Sequence, residues 1–321
     1  MFRNKEYVLA IIREGGFSKA AEKLYVSQPS LSATVRRIEE RLTVPIFDRT
    51  SNPIALTDAG KEYVKHALEI ERMERDLEQF VSDRVNFCTG EIKIGASSLF
   101  SSFMLPRMIA DFNRKYPRVS IKIFENNSKN LMRELAAGEL DLVIDNAVIK
   151  SDSLFYTECA SETILLAVPE SFELGDELEP MALCASDVMA GKHLLPNKGV
   201  RLESFISFPF VLLNSENDTG KRADLLFKKH LLSPKVLFRL DQQITAYNIS
   251  SSGLGLSFVS DTLVKNMEPS SSMRYFRLED AEISRSIYFY QKKNRYHSLA
   301  CKKFIEHVTN LSQENKALAI L

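Results

Sequence analysis

The chain has 321 residues, of which 45% are hydrophobic and 26% are charged, which is typical of a globular protein with two or three domains. Lys and Arg together number 42, and so do Asp and Glu. Because the chain as a whole is neutral, its net charge does not attract nucleic acid. Any binding of nucleic acid must therefore come from a local excess of positive charge.

The cysteine pattern and the N-terminal residues indicate in which cellular compartment the protein works. Cys88, Cys159, Cys184 and Cys301 are scattered without a CxxC pair, which excludes a disulfide framework and a cysteine zinc site. Charged residues among the first 20 positions argue against a signal peptide there, and no apolar run approaches the roughly 20 residues of a membrane helix. We therefore expect a cytoplasmic protein with no membrane partner.

The N-terminal residues are predicted to form three short helices. Apolar residues recur at helical spacing over 5–14, and the glycine pair at 15–16 ends that helix. Ser18 is placed to cap the second helix, and Ser27 to cap a third helix whose first turn holds Pro29. This pattern predicts a helix-turn-helix, with a plain helical hairpin as the alternative.

The third helix has two different faces. Apolar residues spaced four, three and four apart predict a buried stripe of Leu31, Val35, Ile38 and Leu42. The opposite face has small residues first and arginines later, which suits close approach to base edges and contact with phosphates. Gln28 is predicted to pair with an adenine edge, although it could be only an exposed polar residue. The predicted DNA-binding residues are Ser18, Ser27, Gln28, Pro29, Ser30, Ser32, Ala33, Thr34, Arg36, Arg37 and Arg49.

A long helix is predicted to begin after Thr57, which caps it, and to run to about residue 84. Its apolar residues recur at spacings of three and four, and the residues between them are mostly charged. We predict that this seam packs against a second copy of the chain; packing against the following domain is the alternative. The predicted dimerisation residues are Tyr63, His66, Ile70, Met73, Leu77 and Phe80, with His66 as a polar register position.

From residue 90 the pattern alternates between strands and helices. Strands are predicted at 92–94, 119–125, 141–145, 164–168, 210–213, 236–240, 256–259 and 287–290, and helices at 105–115, 130–137, 219–230, 242–251 and 299–311. The alternation predicts an α/β fold with a mostly parallel sheet, and the strand count favours two smaller sheets over one. Residues 173–180 are predicted to be an exposed loop, and the rest of 170–205 gives no clear pattern.

Polar residues follow several predicted strands. They are Ser97, Ser98, Ser101 and Ser102 after the first strand, and Asn146 and Asn214 after later strands. Hydroxyl groups and free N–H groups at such positions suit an anion such as a carboxylate, although each residue alone could form a turn or a cap. No catalytic or metal site is predicted, because GxSxG, HExxH and GxxxxGK[ST] are absent and the five histidines are isolated.

Five motifs stand at fixed spacings in the N-terminal region. They are FSxAAxxL at 17–24, SQPSLS at 27–32, IE at 38–39, FxRT at 47–50 and LTxAG at 56–60. Together they resemble the DNA-binding domain of LysR-type transcriptional regulators. The chain departs from the family pattern at Gly16, where Ser is usual, and at 51–53, which lacks the basic residue that usually follows Arg49 and Thr50. Further motifs, including GxLDL at 138–142 and GLGL at 253–256, resemble the family's effector domain, so the resemblance covers almost the whole chain.

The resemblance implies an N-terminal all-α winged helix-turn-helix, a long linker helix, and two α/β subdomains of the periplasmic-binding-protein type. It also places Ser128 among the effector contacts. The expected domains are 1–58 for DNA binding, 59–88 for the linker and dimerisation helix, and 89–321 for the effector. Within the last, subdomain I would comprise 89–163 and 265–321, and subdomain II would comprise 164–264.

The expected function is that of a cytoplasmic DNA-binding transcriptional regulator that responds to a small-molecule effector and uses no other cofactor. Its expected partners are double-stranded DNA, the effector and further copies of itself, as a homodimer or, as the resemblance implies, a homotetramer of dimers. The alternative is a solute-binding receptor whose N-terminal helical domain serves assembly. No motif supports an enzyme.

Overall fold

The computed structural model describes residues 1–48, 50–51, 53–85, 88–149, 151–195, 199–268 and 272–318. Its contacts divide the chain into two units, Met1–Val81 and Ser82–Leu321. Among the described residues, none of the helices is both long enough and apolar enough to cross a membrane.

The first unit consists of helices and a small β-ribbon. Its elements are α1 (Lys5–Glu14), α2 (Phe17–Lys23), α3 (Gln28–Leu42), β1 (Phe47–Asp48), β2 (Ala55–Leu56) and most of α4 (Asp58–Val85). β1 and β2 pair in antiparallel fashion, and the core beneath them is formed by apolar residues of all four helices. The predicted helix-turn-helix with a wing is therefore confirmed.

Two of the three predicted helix caps are confirmed. The hydroxyl of Ser27 accepts a first-turn N–H of α3 at 3.3 Å, and the hydroxyl of Thr57 accepts one of α4 at 3.0 Å. The predicted cap at Ser18 is wrong. Because α2 begins at Phe17, the N-cap position falls on Gly16, which has no side chain to cap with, and Ser18 lies inside the first turn.

The second unit alternates strands and helices. Its strands are β3 (Gly90–Ala96), β4 (Val119–Glu125), β5 (Leu142–Asp145), β6 (Leu154–Pro169), β7 (Gly199–Val200), β8 (Pro209–Leu213), β9 (Lys235–Leu240), β10 (Leu256–Ser260), β11 (Met273–Leu278) and β12 (Ser284–Lys292). Its helices are α5 (Leu105–Lys115), α6 (Ser128–Ala137), α7 (Ala185–Met189), α8 (Asp218–Lys229), α9 (Gln243–Ser251), α10 (Asp261–Asn266) and α11 (Leu299–Leu318). A π-helical stretch, Phe100–Met104, leads into α5.

The strands run in the order β4-β3-β5-β12-β6-β10-β8-β9, and β11 pairs with both β6 and β7. We call β4, β3, β5 and β12 the first half-sheet, and β10, β8, β9, β11 and β7 the second half-sheet. β3 is parallel to β4 and β5, and β8 is parallel to β9 and β10. The predicted α/β fold is confirmed. The prediction of a mostly parallel sheet is wrong, because β6 pairs in antiparallel fashion with β10, β11 and β12, and β12 does so with β5, so the sheet is mixed. The two smaller sheets that the strand count favoured are joined through β6 into one sheet of ten strands among the described residues.

The long strand β6 is shared by the two half-sheets. Its residues 154–163 pair with β12, and residues 164–169 pair with β10 and β11. At the change of partner, the buried carboxylate of Asp261 accepts the N–H of Thr163 at 2.9 Å and contacts His193 at 3.0 Å. Since β11 lies in the second half-sheet, strand pairing favours a subdomain boundary near Ser284 rather than at 265; the other predicted domain limits stay predictions.

The described residues of the segment 170–205 pack beside the second half-sheet. The predicted loop at 173–180 is mostly exposed, although Leu178 is buried. Beyond it, α7 buries Ala185 and Val188, and the 3-10 helix Leu202–Phe205 buries its two terminal residues, whereas the 3-10 helix Lys192–Leu194 buries His193. The sequence gives no clear prediction for this segment, because its helices are too short to show a helical repeat of apolar residues.

Candidate functional sites

Helix α3 buries one side and exposes the other. Leu31, Val35 and Ile38 are buried in the core of the first unit, as predicted, and Leu42 is half-buried. The opposite side is exposed and carries Ser27, Gln28, Pro29, Ser30, Ala33, Arg36 and Arg37, with Ser32 half-exposed beside them and Ser18 exposed on α2. These predicted residues are therefore accessible to solvent, and their contact with DNA stays a prediction.

Two members of the predicted set do not join this surface. Thr34 is only 7% exposed, and its hydroxyl donates to the carbonyl of Ser30 at 3.0 Å. Its inclusion in the DNA-binding set is wrong, because a residue three positions after Leu31 lies on the same buried side of the helix. Arg49 lies outside the described residues.

The turn before α3 adds a residue that the sequence analysis missed. Tyr25 is 97% exposed and has a φ of 54°, in the left-handed region that tyrosine seldom adopts. The sequence analysis could have selected Tyr25, because it is an aromatic residue in the turn of the helix-turn-helix. Tyr25 stands two residues before Ser27, the N-cap of α3.

The charge around α3 is locally positive. Arg37 lines a shallow cavity of about 400 Å³ together with Arg3 and Arg41, and Glu40 is the one acid among its described lining residues. Arg36 is exposed and pairs with Glu40 at 3.4 Å, a contact that solvent weakens. Both predicted arginines are therefore available to phosphates.

The wing is ordered by the carboxylate of Asp48. It accepts the N–H of Thr50 at 2.9 Å and its hydroxyl at 2.6 Å. The Thr50 hydroxyl lowers the pKa of Asp48 because it stabilises the charged form. Ser51 closes the ribbon, since its hydroxyl donates to the carbonyl of Asp48 and accepts the N–H of Ala55.

The predicted seam of α4 divides into two parts. Tyr63 is 4% exposed and stacks on Phe2 with ring centroids 4.9 Å apart, so its predicted place in a dimer surface is wrong: its ring completes the core of its own unit. Farther along, Met73 and Leu77 are 67% and 64% exposed. His66 and Phe80 are also exposed, and Ile70 is half-buried.

A cleft of about 720 Å³ lies in the second unit, where the carboxyl ends of β3, β4 and β5 face those of β8 and β9. Five predicted effector residues line it: Ser97, Ser98, Ser128, Asn146 and Asn214. Their binding of an effector stays a prediction. The position agrees with the rule that ligands bind beyond the carboxyl ends of parallel strands.

Ser101 and Ser102 do not line this cleft. Both fall in the π-helical stretch Phe100–Met104, which follows the residues 97–99 that line the cleft. The Ser101 hydroxyl donates instead to the carbonyl of Ala96 at 3.5 Å, and Ser102 is exposed to solvent.

A buried arginine that the sequence analysis missed connects the two sides of the cleft. The guanidinium of Arg285 donates to Glu162 at 2.7 Å, to Asp218 at 2.7 Å and to the hydroxyl of Thr219 at 3.0 Å. Burial opposes its charge, but the two carboxylates more than offset this and raise the pKa of Arg285. Asn146 donates to the same Glu162 oxygen at 3.0 Å.

Asp145 is the second missed residue of the cleft. It is 1% exposed, and its Oδ1 atom accepts the N–H of Ala147 at 2.8 Å, whereas Oδ2 has no hydrogen-bond partner among the described residues. Burial raises the pKa of the Asp145 carboxyl, and the nearby hydroxyl of Ser128 opposes this rise. An acid that ends the apolar strand 142–144 was the signal in the sequence. Within the described ranges, no group of three or more His, Cys, Asp or Glu residues is suited to a metal ion.

Comparison with known families identifies both units. Residues 2–61 match the model of the bacterial regulatory helix-turn-helix protein of the lysR family, and residues 88–313 match that of the LysR substrate binding domain. The second match alone spans more than half of the chain. The chain belongs to the LysR family. It is a LysR-family transcriptional regulator with a helix-turn-helix and an effector-binding domain.

This LysR-family chain has relatives of similar length. It is 27% identical over 301 residues to an uncharacterized HTH-type transcriptional regulator, YcgK, of Bacillus subtilis, covering 94% of this chain and 91% of the relative. It is 26% identical over 309 residues to a probable RuBisCO transcriptional regulator of Cyanophora paradoxa, covering 94% and 89%. The crystal structure of CbnR, a LysR family transcriptional regulator, shares its fold with a TM-score of 0.65 at 18% identity, covering 97% and 99%. The alternative of a receptor with an assembly domain gains no support from these LysR-family matches.

Proposed function

We propose that this LysR-family regulator reads duplex DNA with the exposed face of α3, placed in the major groove. The observation that supports this most is the asymmetry of α3, whose apolar side fills the core while small residues and then arginines face solvent. Small side chains permit close approach at the start of the helix, where Gln28 is in position to pair with an adenine edge. Arg36 and Arg37 then contact phosphates, and Ser18 and Tyr25 flank the helix start.

The regulator is proposed to act as a homodimer joined through α4. Met73 and Leu77 lie four residues apart, so they stand on one side of the helix, and both are more than half exposed. A second copy of the same helix would cover them in a two-fold arrangement, which presents two α3 helices to paired half-sites. We extend the proposal to a homotetramer of dimers in the cytoplasm, as the family resemblance implies.

The effector is proposed to bind in the cleft between the two half-sheets. Because residues of both half-sheets line the cleft, a ligand that contacts both walls favours one relative arrangement of the halves. That preference would be coupled to the arrangement of the paired DNA-binding units, and the coupling is reciprocal. No reaction is proposed: the protein acts through binding alone.

The experiment is a fluorescence-anisotropy titration of the full chain with a duplex from the region upstream of its own gene. Gln28→Ala is expected to weaken specific binding by about 1–3 kcal/mol and to relax the preference at one base position. Arg36→Ala is expected to weaken binding to all sequences and to reduce the slope of log affinity against log salt by about one.

Arg13→Ala is the matched control, because Arg13 lies in the same unit but pairs with Glu71 of α4 at 2.9 Å. It removes the same charge and is expected to leave the salt slope unchanged. If Gln28→Ala and Arg36→Ala bind specific DNA as the unaltered protein does, α3 is not the reading element.

A further inference from the structure

The walls of the cleft carry an excess of negative charge. Five acidic residues line it, Glu125, Asp145, Glu216, Asp218 and Asp241, against two basic residues, Lys129 and Arg285. The acids come from both half-sheets, at the ends of β4, β5, β8 and β9. A free anion that enters this cleft meets repulsion from either side, whereas a cation is attracted.

The two basic residues reduce this excess without removing it. The guanidinium of Arg285 donates to the carboxylates of Glu162 and Asp218, so its charge and that of Asp218 are balanced within the protein. Lys129 is exposed at the start of α6 and offsets one of the three exposed acids of the lining, and water screens all of these exposed charges alike. The cleft therefore keeps a smaller excess of negative charge, to which the buried Asp145 belongs.

Asp145 offers the cation a specific partner. The residue lines the cleft and is 1% exposed; the hydroxyl of Ser128 lies near its carboxylate, and the Oδ2 atom makes no hydrogen bond of ordinary geometry in the described part of the chain. A buried carboxylate oxygen without a donor is unfavourable until a donor arrives. An ammonium group brings up to three N–H donors and a positive charge, which matches this oxygen and the neighbouring amide and hydroxyl oxygens of Asn146 and Ser128.

The remainder of the lining indicates a hydrophilic ligand. Leu99 is the one apolar residue among the described residues that line the cleft, and the others are serine, threonine, asparagine, glutamine or charged residues. A volume of about 720 Å³ accommodates a small metabolite. An aromatic ring or a long acyl chain would find one apolar side chain among these residues to pack against.

Accepting the proposed function, in which this cleft holds the effector, we infer that the effector is a small hydrophilic amine of net positive charge whose ammonium group binds Asp145. Diamines and basic amino acids belong to this class. The inference replaces the carboxylate expected from the serines alone. Those serines and Lys129 stay available for a second polar group of the same ligand, including the carboxylate of an amino acid.

The test is isothermal titration calorimetry on the full chain at constant ionic strength and neutral pH, with four separate probes. They are 1,4-diaminobutane, L-lysine, adipate and magnesium chloride; the diamine and adipate share a four-methylene spacer and differ in charge. At least one of the two amines is expected to bind, and adipate and magnesium are not. If adipate or magnesium binds and neither amine does, the inference is overturned. It is also overturned if none of the four probes binds.

Variants locate the binding. Asp145→Asn keeps the shape but removes the charge, and it is expected to weaken amine binding about tenfold or more. Asp241→Asn changes an exposed acid on the opposite wall, so it keeps the test valid if the first variant fails to fold, and it is also expected to weaken binding. Asp176→Asn is the matched control, because Asp176 is exposed in the 173–180 loop outside the cleft. Unchanged amine affinity in both cleft variants overturns the inference.

DNA affinity measured on the same preparations separates this failure from failure of the proposed function. Adipate binding that Ser128→Ala abolishes, together with intact DNA binding, would leave the regulator with an anionic effector. Loss of specific DNA binding by the unaltered protein would instead count against the proposed function, whichever probe the cleft takes.

Discussion

The carboxylate of Glu39 on α3 accepts the backbone N–H of Ile46 at 2.9 Å, which joins this helix to the first residues of the wing. The same oxygen also accepts the N–H of Phe47 at 3.3 Å, and both of these residues are buried. One side chain of α3 therefore makes two hydrogen bonds to the backbone at the start of the wing.

Glu39→Ala is expected to destabilise the first unit by about 1–3 kcal/mol, because it leaves two buried backbone donors without an acceptor. Glu39→Gln keeps an oxygen at the same position and is expected to lose clearly less. Urea unfolding followed by circular dichroism measures both. Equal losses in the two variants would show that the hydrogen bonds to the wing contribute little.

Gly60 and Gly16 are expected to respond in opposite ways to an added methyl group. A Cβ at Gly60 would lie 2.0 Å from the carbonyl oxygen of Ile46, a contact with rigid backbone, so Gly60→Ala is expected to cost about 1–3 kcal/mol or to displace α4. A Cβ at Gly16 meets no atom within 4 Å, and the φ of 166° is extended backbone, so Gly16→Ala is expected to change stability by less than about 0.5 kcal/mol. Thermal unfolding of the two variants side by side measures the contrast; a larger loss at Gly16 would contradict it.

The sequence predicted most of the first unit because local patterns decide its elements. The apolar stripe of α3 and the caps at Ser27 and Thr57 need no distant partner. Tyr63 was assigned wrongly because a seam at spacings of three and four does not reveal whether its partner is another chain or the same domain. Only the stacking on Phe2, 61 positions away, decides this.

The cleft was predictable in position but not in charge. Strand ends can be read from the sequence, and polar residues there indicated a site. The excess of acids arises from residues of four separate strand ends, and the neutralisation of Arg285 depends on a partner 123 positions away, Glu162. Likewise, the first part of β6 was missed because its burial pattern is mostly exposed until the strand enters the second half-sheet.

Breaking the buried ion pair of Arg285 is expected to destabilise the second unit strongly. Arg285→Ala leaves Glu162 and Asp218 without their shared cation, and one Glu162 oxygen already has no partner among the described residues. A loss of about 3–5 kcal/mol is expected from an uncompensated buried charge. The control is Lys122→Ala, which breaks an exposed pair with Glu91 and is expected to cost no more than about 1 kcal/mol. Denaturant unfolding that gives equal losses would contradict this account.

His230 is expected to make stability depend on pH. Its Nε2 atom bonds Asp280 at 2.8 Å and its Nδ1 atom bonds Glu203 at 3.0 Å, and the hydrogen bond to Asp280 raises the pKa of His230 above its ordinary value of 6.5. Below the unfolded pKa the stabilisation is fully present, and it is lost as the pH rises through the higher folded pKa.

The difference in melting temperature between the unaltered protein and His230→Gln should therefore be largest near about pH 6 and should shrink towards about pH 9. His66→Gln is the control, because His66 is exposed and its contacts with Glu62 and Glu69 are surface pairs that contribute little. A difference for His230→Gln that grows with pH would contradict the assignment.

The exposed part of α4 gives the most direct test of the proposed dimer. Leu77→Glu places a charge beside Met73 on the side that a second copy is proposed to cover, and it is expected to weaken self-association about tenfold or more. Arg75→Glu introduces the same side chain two positions earlier, about 200° around the helix, and is expected to leave self-association unchanged. Sedimentation velocity over a range of protein concentrations measures both variants. If both associate as the unaltered protein does, the dimer uses another surface, and DNA binding through paired half-sites must be organised by the second unit.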